Sequence, residues 1–153
     1  MRTRRYEQYV AAPIEWVYAA YVDPALMPKW MELAAVTDLS GPLDQAGTWF
    51  TQVYRGRWRF RTQVLRAEPP TLHEMAGRAP LRTTYRWLAR FAPDGEGTHV
   101  TLESETRIFG PLDLLAQRLF DASARASARR HLADLAVLVE AAPLPGAEVL
   151  QGD

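Results

Sequence analysis

The 153-residue chain contains no cysteine, which excludes structural disulfides, thiolate catalysis and cysteine-ligated metals. Lysine is nearly absent too: Lys29 stands alone against seventeen arginines, an imbalance that reads as genomic base composition rather than function. Eighteen basic residues balance eighteen acidic ones and the isoelectric point is about 6.8, so no global field recruits nucleic acid or anionic membrane. No stretch approaches 18 consecutive apolar residues, and the first eight residues lack the apolar core of a signal peptide. A soluble cytoplasmic protein with no stable membrane insertion is expected. The chain has no nucleophile elbow, P-loop or dinucleotide fingerprint, no internal repeat and no second domain. Its three histidines, His73, His99 and His131, fall on different elements without metal-ligand spacing, so neither a metal nor a cofactor is expected. His99 follows a turn and is expected exposed. His131, beside Arg129 and Arg130, is expected on the surface, and His73 fits either face.

What is present suits one ordinary globular domain: 48% hydrophobic and 24% charged residues on a length that can bury a single core. The chain is organised around Pro111 to Ala141, which has no glycine and no proline after its first residue. This predicts one long helix, about 45 Å at 1.5 Å per residue, with Pro111 at its first position and Pro143 just past its end. Leu112, Leu114, Leu115, Leu119 and Phe120 lead it, and Leu132, Leu135, Leu138 and Val139 close it. Between Asp121 and His131 there are only small residues among the charges. Either this midsection faces a space that small side chains leave open, or alanine serves there as a good helix former on an exposed surface.

Upstream, strands dominate. Thr3 to Ala11 predicts a first strand with Tyr6, Gln8 and Val10 on one face. Pro13 opens a short helix from Ile14 to Tyr21, and Asp23 caps a second over Pro24 to Trp30. Strands follow at Glu32 to Leu39, Gly47 to Tyr54, Arg57 to Glu68, Thr71 to Arg78, Leu81 to Phe91 and Thr98 to Phe109, separated by Gly/Pro-rich turns. Trp58, Phe60, Thr62 and Val64 share one face of their strand; so do Tyr85, Trp87, Ala89 and Phe91, and Val100, Leu102, Ser104 and Thr106. The order predicts an α+β fold: a curved antiparallel sheet of about seven strands, two short helices and one long C-terminal helix. Residues 1–141 form the domain, and 142–153, with two prolines and two glycines, a flexible tail.

Several motifs punctuate this order: Val10-Ala-Ala-Pro13 with Glu15-Trp-Val-Tyr18, Asp23-Pro24 with Pro28-Lys-Trp30, and Phe91-Ala-Pro-Asp-Gly-Glu-Gly-Thr98 with Val100. Gly110-Pro-Leu112 and Leu132 to Glu140 bracket the closing helix. Together, over roughly residues 3–141, they resemble the START-related SRPBCC superfamily, which includes polyketide cyclase/dehydrase-like and lipid-transfer proteins. The resemblance implies a helix-grip fold, a sheet gripping the long helix around a hydrophobic cavity. It implies binding of lipids, quinones or polyketides in most members and cyclisation or dehydration in a minority. A fold alone does not decide between them.

The residues point to the inward strand faces. Trp58, Phe60, Tyr85 and Trp87, with the hydroxyls of Thr62, Ser104 and Thr106, would make bulky walls carrying a few polar groups, the composition of a small-molecule site. On the helix, extending the closing stripe backwards reaches Ala128, Arg125 and Asp121, whereas extending the leading stripe forwards reaches Ala122 and Ala126. In the first case Asp121 and Arg125 border the cavity as an i,i+4 pair; in the second they are an exposed helix pair. The expected partner is a small hydrophobic molecule (lipid, isoprenoid quinone or polyketide-like), on a monomer or homodimer. The alternative is a polyketide cyclase or dehydratase, for which Asp121, Arg125, Tyr85 and His73 are the plausible proton-transfer groups. The arginine ladder Arg55, Arg57, Arg59 and Arg61 lies opposite the apolar face among outward acids such as Glu103 and Glu105. It reads as a solvated sheet face, not a nucleic-acid site.

Overall fold

A computed structural model describes residues 3–55, 58–80, 82–109 and 113–142, with backbone only at 108, 113–117 and 119–124. The chain runs β1 (Arg4–Val10), α1 (Ile14–Val22), α2 (Met27–Trp30), β2 (Leu33–Thr37), β3 (Trp49–Tyr54), β4 (Arg59–Glu68), β5 (Leu72–Ala79), β6 (Thr83–Asp94), β7 (Gly97–Ile108) and α3 (Asp113–Ala141). The seven strands form one sheet in the order β1-β7-β6-β5-β4-β3-β2, each pair antiparallel. Consecutive strands pair as hairpins from β2 to β7, and β1 closes onto β7. This is the α+β helix-grip architecture expected from the sequence. The tail beyond residue 142 and the Gly110-Pro-Leu112 motif lie outside the described residues.

Local chemistry sets the boundaries. Pro13 starts α1 by accepting from the backbone N–H groups of Trp16 and Val17 at 3.0 and 3.1 Å. The helix expected over Pro24 to Trp30 is shorter than its proline suggested. Asp23 accepts from the Ala25 N–H through its side chain at 2.8 Å, and its carbonyl accepts from Leu26 and Met27. That makes a turn of residues 23–26 and confines α2 to Met27–Trp30. Between β6 and β7 the last pair is Asp94↔Gly97, so the hairpin turns on two residues. Gly95 there has φ +60°, a conformation a glycine adopts without steric cost. Register shifts at Leu33/Ala35 and Val64/Arg66 are bulges, which bend strands locally and help the sheet curve.

The core occupies one end of the inner face. Tyr21 stacks on Trp30 at 5.0 Å and meets Phe91 edge-on at 5.2 Å; both Tyr21 and Trp30 are buried. The second half of α3 lays Ala128, Leu132, Leu135 and Val139 against it, all buried, at the 4-3-4 spacing of a helix stripe. Full burial of the two leucines and the valine contributes about 1.5–3 kcal/mol each. The Trp16 indole N–H donates to the Val139 carbonyl at 3.4 Å and the Ala11 N–H to the Glu140 carboxylate at 2.9 Å, pinning the end of α3 to α1 and β1.

Candidate functional site

Beyond that core, the inner face carries the sequence-predicted residues in transverse rows. One row runs Phe50↔Thr62↔Gly77↔Tyr85↔Thr106 across β3 to β7; the next runs Val64↔Met75↔Trp87↔Ser104. Gly77 gives its row its shape. A Cβ there would lie 2.7 Å from both Cε1 and Oη of Tyr85, so the tyrosine ring lies across the space a side chain would take and reaches two strands over to Thr62.

The Tyr85 hydroxyl is the hub of a buried polar chain. It donates to Gln52 Oε1 at 3.0 Å and shares a short hydrogen bond with Thr62 Oγ1. With its one proton committed to Gln52, Tyr85 accepts from Thr62. Gln52 and Thr62 are fully buried and Tyr85 is nearly so. Among the described residues the Gln52 amide nitrogen finds only the Met31 thioether, at 4.0 Å, a weak acceptor. Burial raises the Tyr85 hydroxyl pKa far above its ordinary value of 10, against a smaller lowering from Thr62, so it is a hydrogen-bond donor at every physiological pH.

Around this chain lies a continuous aromatic band. Tyr54 and Phe60 are 4.7 Å apart between ring centres, Phe60 and Tyr85 5.7 Å, Tyr85 and Trp87 6.4 Å, and Trp87 and His131 5.9 Å. Tyr54, Phe60 and Trp87 are only partly buried, unlike the rings of the core. Ser104 is buried in the Trp87 row, and Thr106 is partly buried beside Tyr85. Trp58 precedes β4 in phase with this face and is 49% exposed. It stands at the end of the strand, outside the band.

On the helix side, Arg125 takes one of the two alternatives left open and His131 departs from expectation. The closing stripe extends back as far as Ala128 and fails at Arg125, which is exposed. Turns of 3.6 residues carry the stripe to the seam between 124 and 125, and a long cationic side chain at such an edge keeps its head in water. The side chain of Asp121, the other half of the expected pair, lies outside the described residues. The departure is His131. Placed on the surface by its arginine neighbours, it is instead 2% exposed. Its Nε2 meets Ser127 Oγ at 3.1 Å, with Glu32 at 3.8 Å, and its Nδ1 has no partner among the described residues. Burial first, and Arg130 in smaller measure, lower its pKa from 6.5, while Glu32 and Asp134 oppose the shift, so the ring is neutral at pH 7. The signal was available: His131 stands one turn before the buried Leu135.

His73 is also buried, but elsewhere. Its Nε2 lies 2.8 Å from the Leu43 carbonyl, so that nitrogen carries the proton, and Tyr21 meets the ring edge-on at 5.5 Å. It pairs with Ala89 in the packed part of the sheet, four residues along β5 from Gly77, about 13 Å at 3.3 Å per residue. The structure does not bring it to Tyr85. His99 lies on the outer face of β7, 38% exposed near Glu7. Among the described residues no group of histidines and carboxylates could hold a metal ion, and no helix is long and apolar enough to cross a membrane.

Comparison with known proteins places this geometry. No curated protein matches the chain. A Mesorhizobium loti protein of known structure superposes with a TM-score of 0.76 at 20% identity, over 94% of this chain and 100% of that one. A Rhodobacter sphaeroides protein does so with a TM-score of 0.71 at 22% identity, over 92% and 93%. DynU16, from the dynemicin biosynthetic locus, aligns with a TM-score of 0.70 at 18% identity over 91% of this chain and 47% of its own. These likenesses establish the fold. The family model described as polyketide cyclase/dehydrase and lipid transport matches residues 1–140, and with nearly the whole domain so matched, the chain belongs to that family.

Proposed function

We propose that the protein binds a small hydrophobic molecule, a lipid, isoprenoid quinone or polyketide-like compound, between the inner sheet face and α3, as a soluble cytoplasmic carrier. The observation that carries this reading is a fixed polar hub set among incompletely buried rings. Thr62 and Gln52 hold the Tyr85 hydroxyl from both sides, while Phe60 and Trp87 beside it keep apolar surface free. Apolar walls supply affinity and a few fixed polar groups supply orientation. Ser104 and Thr106 add hydroxyls on the same face, and Trp58 would stand at the rim. Asp121 and Arg125 remain outer candidates, touching only a ligand that extends along the helix.

Native mass spectrometry of gently purified protein, with organic extraction of what co-purifies, tests it. A stoichiometric adduct of defined mass, lost in Trp87→Ala and weakened in Tyr85→Phe, is the expected result. An adduct-free protein that also takes up none of a panel of long-chain fatty acids, quinones and aromatic polyketides would sink the proposal.

One observation favours the alternative, a cyclase or dehydratase in the same space. His131 is a neutral imidazole against Trp87, so one group able to take up a proton stands beside the aromatic band. Proton abstraction next to a substrate carbonyl needs such a base. Turnover of a poly-β-ketone substrate that His131→Gln abolishes while binding persists would support it; equal turnover in the variant would remove it.

A further inference from the structure

The outer sheet face, turned away from α3, carries a groove of about 700 Å³, within the range of small-molecule sites. Gly77 and Tyr85 also border it, but its charged groups belong to the outer face. Two transverse rows build it. The first runs Thr51↔Arg61↔Arg78↔Thr84↔Arg107 and the second Trp49↔Gln63↔Ala76↔Arg86↔Glu105. Short side chains at Ala76 and Thr84 form the floor, and the longer residues around them form the walls.

The charges are arranged unusually. Arg61 and Arg78 lie directly opposite on adjacent strands, where like charges oppose each other, and Arg107 stands in the same row two strands on. Of the acidic groups nearby, Glu74 is taken up by Arg86, Glu105 accepts from Thr3 at 2.9 Å, and Asp38, on the side of β2, is held by Thr51 and Thr37 with a weaker attraction to Arg61. Arg78 has no hydrogen-bond or ion-pair partner among the described residues. At one end the Arg61 guanidinium lies over the Trp49 ring at 5.5 Å; Trp49 is 39% and Leu65 45% exposed. A sheet face that only needed solvation would place an acid opposite Arg61 or Arg78 and would not expose a tryptophan beside them.

We infer that this groove is a second binding site, for a small organic anion with a flat apolar body. The anionic group, a phosphate or paired carboxylates, sits over Arg61 and Arg78, whose planar forks suit such oxygens. The body lies along Gln63 and Ala76 towards Trp49 and Leu65.

The test is an amide NMR titration of the folded full chain with 1-naphthyl phosphate and with inorganic phosphate. Saturable shifts are expected at Arg61, Gln63, Ala76, Arg78 and Thr84, with naphthyl phosphate roughly tenfold tighter. Arg78→Gln should weaken both probes by roughly tenfold, and Trp49→Ala only the naphthyl compound. Arg61→Gln serves as a second variant, and thermal melts confirm that each folds. No saturation by about 10 mM, or shifts spread equally over Arg5, Arg66 and Arg90, would overturn the site. So would shifts at Phe60 and Trp87 that are indifferent to Arg78→Gln, which place the probe on the inner face. Saturation by poly-glutamate with neither small anion bound would assign the groove to an acidic protein instead and refute the small-molecule reading.

Discussion

Replacing Gly77 with alanine is the sharpest test of how the inner face is built. No left-handed backbone is involved, so in open space the change would stabilise the protein by about 0.4–1 kcal/mol through lost unfolded-state entropy. The geometry predicts the opposite sign. The added Cβ would lie 2.6 Å from the Arg61 carbonyl oxygen and 2.7 Å from Tyr85 Cε1 and Oη, where ordinary contact is roughly 3.5–4.0 Å. A backbone atom on one side and a hydrogen-bonded ring on the other leave no cheap relief. Overpacking of this kind costs about 1–3 kcal/mol. If Tyr85 is pushed off its partners, the buried Gln52 and Thr62 groups add about 1–3 kcal/mol. A total near 2–6 kcal/mol is a large share of the ~5–15 kcal/mol that holds such a domain together. With a urea m-value on the order of 2 kcal/mol/M, the unfolding midpoint should fall by about 1–3 M. Tyr85→Ala removes one of the two clashes, so the Gly77→Ala/Tyr85→Ala pair should cost less than the sum of the two single changes, non-additive by at least ~0.5 kcal/mol. A single variant as stable as wild type, or more stable, would refute the argument.

The two buried histidines make stability pH-dependent. Burial depresses both His73 and His131 below their unfolded value of 6.5, so their stabilisation is complete above that pH and is lost as pH falls from there through the folded pKa. Each contributes a slope of at most about 1.4 kcal/mol per pH unit, and urea titrations from pH 7 to 4.5 should show it reduced in His131→Gln. Arg82 holds φ +54° between β5 and β6, a conformation that costs an L-residue roughly 1–2 kcal/mol. Glycine avoids that cost but gives back about 0.5–1 kcal/mol in unfolded-state entropy, so Arg82→Gly should raise the thermal midpoint by about 1–4 °C, and a lower midpoint would count against it. Trp30→Ala and Trp87→Ala remove the same side chain from a sealed core and from a half-buried wall. The first should cost about 3–5 kcal/mol and the second clearly less in ligand-free protein, whereas equal losses would mean that Trp87 too is sealed core.

The fold was legible because alternation and punctuation are local signals. Val100, Leu102 and Ser104 face inward because their strand is half-buried with a period of two, and Pro13 and Gly95 mark breaks that the backbone must obey. Register is not local. Nothing within Arg57 to Glu68 reveals that Arg61 comes to lie opposite Arg78, or that Tyr85 and Thr62 share a row across Gly77. Those juxtapositions required the strand order and the bulge at Val64/Arg66. His131 failed for a different reason: its charged neighbours suggested a surface, whereas the helical stripe through Leu135 already contained it. The second short helix was overextended because a proline at a first helical position fits a turn equally well.

The unevenness of the inner face follows from where the chain spends its helices. The chain leaves α2 at Trp30 and returns to the sheet at Leu33, so α1 and α2 and their large side chains cover one end only. There Tyr21, Trp30, Phe91 and the closing stripe of α3 fill the space. Around Tyr85, the rings of Tyr54, Phe60 and Trp87 stay partly exposed although they share a sheet face with sealed neighbours. Energy is left unrealised there: each partly buried ring keeps apolar area that a packed core would have removed from water at about 25 cal/mol per Å². A ligand with matching apolar surface can recover it. The Tyr85 hydroxyl, locked between Thr62 and Gln52 before anything binds, is oriented at no further entropic cost. Incomplete packing around a preorganised polar group is costly in a structural core and useful in a binding site.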